Sequence, residues 1–217
     1  MHGTKKIQKQ TVTRAYNFEM RAENDEEHGD HIVGRPIVYN SRTDLGWFDE
    51  IIDPGALNDT DLRDVRFLVN HDTSMIPLAR SRRNNDNSTM QMTVDNNGMG
   101  IRVNLDTENN TEAKNLYSAI KRGDISGMSF MFSIDDEEWQ DLESDHPTRR
   151  IKKIGQVLEV SAVTFPAYEA TEISARAKEA LDGAKRTVDA ARKRSEDSDS
   201  AKELELEKLK ALYLYGA

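Results

Sequence analysis

Between residues 11 and 165 only one stretch has the periodicity of a helix, and nearly everything around it reads as strand. In "NTEAKNLYSAIKRG" the apolar residues Ala113, Leu116, Tyr117 and Ile120 recur at steps of three and four. Asn110 or Thr111 is placed to cap its start, and Gly123 stands where a C-terminal glycine belongs. A chain with one central helix must bury its strands mainly against one another. That predicts an α+β domain built on a curved, β-barrel-like sheet with few helices.

The strand segments can be placed one by one. "TVTRAYNFEM" (11–20) carries Val12, Tyr16, Phe18 and Met20 on one parity, the mark of a half-buried strand. "HIVGRPIVYN", "WFDEII" and "DVRFLVNHD" read as further strands, with a Pro-Gly turn at 53–57 between the second and third. Residues 89–106 form a hairpin around Asn97-Gly98. "MSFMFSI" (128–134) and "IGQVLEVSAVTF" (154–165) complete the set, and the charged stretch 135–150 between them is expected as an exposed loop. After Pro166 the pattern changes. Ile173, Ala177, Leu181, Ala184, Val188 and Ala191 follow helical steps, "SEDSDS" interrupts at 195–200, and helical spacing then resumes. The expected division is a domain over 1–172 and a charged, solvated helical tail over 173–217.

Composition narrows the function. A length of 217 residues suits one well-buried domain with an extension. A formal charge of −9 and an isoelectric point near 5.1 argue against nucleic-acid binding through a basic patch. No apolar run is long enough for a membrane span, and no apolar signal core follows the basic start, so a soluble protein is expected. Without cysteine there is no disulfide, thiolate metal site or cysteine nucleophile.

Three residues stand out as candidates for acyl-transfer chemistry, which needs a hydroxyl, a base beside it and a group that orients the base. Of the five histidines, His2 and His146 lie in charged or terminal stretches. His28 and His31 sit in an acidic turn with Asp25 and Asp30, without metal-ligand spacing, and no metal or cofactor is expected. His71 closes an apolar strand on the parity of Phe67 and Val69. In 128–134 the residues Met128, Phe130, Phe132 and Ile134 make the core face, which leaves Ser129 on the other face, where a cleft can lie. On this parity Ser129 is the better nucleophile, and Ser126 reads as a strand-entry residue or a hydrogen-bonder beside the site. Glu159 is a lone carboxylate inside an apolar strand, costly unless paired with an arginine or a histidine.

Taken together, the segments "IVGRPIVYN", "FDEIIDPGAL", "VRFLVNHD" with "IPLAR", "IKRGDISGMSFMF" and "LEVSAVTFPAYEAT" resemble the prohead (head maturation) proteases of tailed bacteriophages. They stand in the family's order over roughly residues 30–172. The family is considered similar in fold to the herpesvirus capsid-maturation protease, whose triad is Ser-His-His and whose base also follows an asparagine. The resemblance implies a serine endopeptidase with Ser129 as nucleophile, His71 as base and Glu159 in place of the second histidine. The herpesvirus enzyme's arginine pair has no visible counterpart after Val163, so backbone N–H groups are the expected oxyanion donors. It further implies a substrate in the scaffolding segment of the major capsid protein, self-cleavage, and action inside the procapsid in the host cytoplasm. A homodimer or higher oligomer is expected by analogy, and no nucleic acid or membrane partner. Two other readings are an inactive homologue acting as a scaffold or assembly protein, and a general host-side protease.

Overall fold

The computed structural model describes residues 10–16, 20–164, 177–195 and 202. The strands are β1 (Gln10–Tyr16), β2 (Met20–Asp25), β3 (Gly29–Val38), β4 (Arg42–Asp44), β5 (Asp49–Ile52) and β6 (Asp64–Val69), then β7 (Ala79–Arg82), β8 (Met90–Asp95), β9 (Gly98–Asn104), β10 (Gly127–Gln140) and β11 (Thr148–Val163). Helix α1 spans Thr111–Arg122, and residues 177–195 form a second helix, α2. The strands make two sheets. One has seven strands, ordered β1-β10-β11-β5-β4, with β6 pairing β11 and β7; the other has four, ordered β2-β3-β9-β8.

The long antiparallel hairpin β10–β11 is the spine of the larger sheet. Its register shifts four times between Met131 and Glu137, and each irregularity adds local bend and twist. The sheet curls enough for the Arg14 side chain of edge strand β1 to reach Glu50 on β5 at 2.5 and 2.7 Å. Among the described residues it does not close into a barrel, because β1 and β4 remain edges. The core fills the space between the two sheets and α1. It includes Ile32, Ile37, Phe67, Met99, Val103, Phe130, Phe132 and Val160, all essentially inaccessible. α1 forms as its spacing predicts. The Asn110 side chain accepts from the Glu112 and Ala113 amides, Gly123 is left-handed at φ 80°, and Ala113, Leu116, Tyr117 and Ile120 are buried.

Three expectations need correction. Residues 11–20 are not one strand: β1 belongs to the larger sheet and β2 to the smaller, and Phe18 lies outside the described residues. Residues 135–150 are not a loop, since β10 runs on to Gln140 and β11 starts at Thr148. The charges there pair across the hairpin, as Lys152 does with Glu138 at 3.1 Å and Arg149 with Glu137 at 2.8 Å. Arg149 is fully buried and also lies 3.5 Å from Glu50. The tail, finally, is not solvated from its first turn. Ala177 and Leu181 bury against Leu45 and Phe48, with the Lys178 ammonium 4.7 Å from the Trp47 ring centroid. Beyond residue 184 the helix is exposed.

The predicted hairpin β8–β9 forms, but its two-residue loop is Asn96-Asn97, one residue before the expected Asn97-Gly98. Gly98 follows at φ 130°, where a Cβ would meet the Ile37 carbonyl oxygen at 2.0 Å. Glycine is required there to let β3 approach.

Candidate active site

The site is assembled on β6, β10 and β11, which lie side by side. β6 runs parallel to β11, pairing Arg66 with Glu159 and Leu68 with Ser161. On the other side β10 pairs Met131 with Glu159 and Ser129 with Ser161. Directly paired residues share a face, and so do residues two apart on one strand. Ser129, Glu159 and Ser161 therefore project from one face by register alone.

His71 reaches that face by a different route from the one its parity suggested. β6 ends at Val69, and both Asn70 and His71 adopt left-handed conformations, φ 51° and 57°. Such residues are held only when the surroundings supply compensating bonds. Here the Asn70 amide donates to the Ala162 carbonyl at 2.9 Å. Its side chain accepts from the Thr164 amide at 2.9 Å and donates to the Thr164 hydroxyl at 3.1 Å. The His71 amide donates to Ser161 Oγ at 3.2 Å. The chain is thus turned back over β11, which puts the imidazole above Glu159 and Ser129.

The resulting contacts are short and ordered. His71 Nδ1 lies 2.5 Å from Glu159 Oε1, and Nε2 lies 2.6 Å from Ser129 Oγ. The other carboxylate oxygen accepts from Ser161 Oγ at 2.6 Å. Ser129 and Ser161 are fully buried, Glu159 is 4% exposed, and the imidazole keeps 15% of its surface. Ser129 Oγ also donates to the Arg14 carbonyl of β1 at 2.9 Å. One hydroxyl proton cannot serve both neighbours, so its direction depends on the ring. With a neutral ring protonated at Nδ1 it points to Nε2; with an imidazolium it turns to Arg14.

The three residues singled out in the sequence are thus brought together. Ser126 is not among them. It is exposed and immediately precedes β10. The histidines of the acidic turn belong to the smaller sheet. His28 Nδ1 lies 3.1 Å from Asp25, and His31 Nδ1 hydrogen-bonds the Gly29 carbonyl at 2.9 Å. Among the described residues, Asp44, Asp49 and His146 are the group spaced to approach one ion, and Asp49 there already holds Arg42 at 2.5 Å. Sequence reasoning missed two sets of residues. Ser161 lay in plain view two positions after Glu159, where period 2 puts it on the same face. Arg14, Glu50 and Arg149 form a buried charge cluster that the sequence reading did not single out.

A sequence-family profile described as caudovirus prohead serine protease matches residues 16–186. The chain belongs to the caudovirus prohead serine protease family. Within it, the prohead protease of Enterobacteria phage HK97 is 30% identical over 146 residues, 65% of this chain and 58% of that relative. This chain therefore spans less than two thirds of that prohead protease's length. Among solved structures, the bacteriophage T4 capsid assembly protease aligns with a TM-score of 0.36 and 14% identity, covering 70% of this chain and 97% of the other. The profile ends within α2, past the expected boundary at 172.

Proposed function

We propose that the chain is a serine endopeptidase of phage capsid maturation. Ser129 attacks the scissile carbonyl, His71 takes its proton through Nε2 and returns it to the leaving amine, and Glu159 holds the ring and stabilises the imidazolium. One observation supports this reading above the others: the unbroken series Ser129 Oγ, His71 Nε2, His71 Nδ1, Glu159 Oε1, with links of 2.6 and 2.5 Å. A base within hydrogen-bond reach of the hydroxyl, itself oriented by a third group, is the arrangement acyl transfer requires. A carboxylate suits the third position because the ring becomes cationic during the step.

The proposed substrate is the scaffolding segment of the major capsid protein, cut inside the procapsid in the host cytoplasm, where the enzyme acts as a homodimer or higher oligomer. Self-cleavage is proposed within 195–200, which would leave the packed turns of α2 in place. The strongly curved larger sheet fits the proposed kinship in fold with the herpesvirus capsid protease. Co-expression with the cognate major capsid protein tests the activity. Gels should show the capsid chain shortened and this chain trimmed, with neither change for Ser129→Ala. A full-length capsid chain beside the wild-type protein in assembled procapsids would refute the proposal.

A further inference from the structure

We propose that Ser161 is a positioning residue for His71, one that fixes both the tautomer of the ring and the turn that carries it. The inference rests on the reading of Ser129, His71 and Glu159 given above. Its basis is a closed ring of hydrogen bonds. The His71 amide donates to Ser161 Oγ, Ser161 donates to Glu159 Oε2, and Glu159 Oε1 faces His71 Nδ1, at 3.2, 2.6 and 2.5 Å.

Chemistry fixes the direction of every bond in this ring. A backbone amide can only donate, so Ser161 Oγ must accept there, and its one proton is left for Glu159. An ionised carboxylate can only accept, so Oε1 takes a proton from Nδ1. With the proton on Nδ1, Nε2 is left bare towards Ser129, which is the form a general base needs. Ser161 thus acts twice. It holds the carboxylate so that a single oxygen faces the ring, and it gives the left-handed His71 amide an acceptor. Because Ser161 is fully buried and Glu159 is 4% exposed, water does not readily replace either bond. The pairing of Ser161 with Ser129 on β10 and Leu68 on β6 sets the hydroxyl between base and carboxylate by strand register.

The test compares the full-length wild type with Ser161→Ala and Ser161→Thr, reading the His71 ring nitrogens by NMR and turnover on a peptide spanning a capsid cleavage site. In the wild type the neutral ring should be almost wholly the Nδ1-protonated tautomer. Ser161→Ala should give a mixture of tautomers, with kcat lower by about ten- to a hundredfold and KM nearly unchanged, as expected for a misplaced base. Ser161→Thr keeps the hydroxyl and should recover most of the rate. Ser161→Cys, with a weaker donor in similar volume, gives the same comparison should the alanine chain melt early. A tautomer and kcat in Ser161→Ala equal to the wild type would overturn the inference while leaving the protease reading intact. A tautomer change in Ser161→Ala, beside a wild type that cuts nothing, would sink the protease reading and leave the positioning role standing.

Discussion

At the residue scale the account depends on differences between three side chains that touch in sequence along one line. Ser129→Ala and His71→Ala each remove a bond-making group, and each should lower kcat by at least about 10^4-fold. Glu159→Gln should be slow rather than dead, lower by about 10^3- to 10^4-fold. Ser161 would still donate to the amide oxygen, which turns the NH2 group towards Nδ1 and favours the wrong tautomer. Equal rates for Glu159→Gln and the wild type in a peptide assay would remove Glu159 from the site. These three residues were legible because each sits where its chemistry is out of place: a carboxylate in an apolar strand, a histidine at a strand end, a serine opposite a core face. Ser161 shares the face of Glu159 by period 2 but was not singled out, because a serine in a strand is ordinary until its neighbours are known. Arg14, Glu50 and Arg149 were not, because burial of charge depends on sheet curvature, which no local pattern encodes.

At the element scale, the turn after β5 carries a pH-dependent tether to the spine. Asp53 lies between Arg150 and Lys152 of β11, with Lys152 Nζ at 2.7 Å. Burial pushes its carboxyl upward, but the hydrogen bonds from Lys152 and Arg150 outweigh that and hold it below the ordinary range. A carboxyl lowered by folding stabilises above its unfolded pKa, and the contribution fades as pH falls through the folded value. Asp53→Asn should therefore cost about 1–2 kcal/mol at about pH 7, with a smaller difference at about pH 3. Melting curves at the two pH values check this; a gap of the same size at both would show that the ion pairs do not matter. The helix α1 and the hairpin β8–β9 were readable from the sequence because caps and turn residues act locally. The break between β1 and β2 was not, since alternation of residues is blind to a change of sheet.

At the scale of the whole molecule, the expected boundary at 172 and the packing of α2 make opposite demands on a shortened chain. Ending the chain at Thr171 would uncover Leu45 and Phe48, which Ala177 and Leu181 now cover. Losing that burial should cost about 2–3 kcal/mol, or roughly 5–10 °C in melting temperature for a domain of this size. A chain ending at Ala184 should melt within a few degrees of one ending at Ser195, since the turns past residue 184 are exposed. Equal melting of all three would show that α2 adds nothing to the domain. The site itself should survive the longer truncation unchanged, because β6, β10 and β11 hold it without help from the tail.

The central claim is that Ser129 is a nucleophile activated by His71, and covalent labelling tests it most directly. The purified chain would be treated with a fluorophosphonate, which bonds irreversibly to an activated serine, and the adduct located by fragment mass spectrometry. The account predicts one adduct per chain, on Ser129, absent from His71→Ala and strongly slowed in Glu159→Gln. An adduct on Ser126, or labelling of Ser129 that persists at full rate without His71, would contradict it.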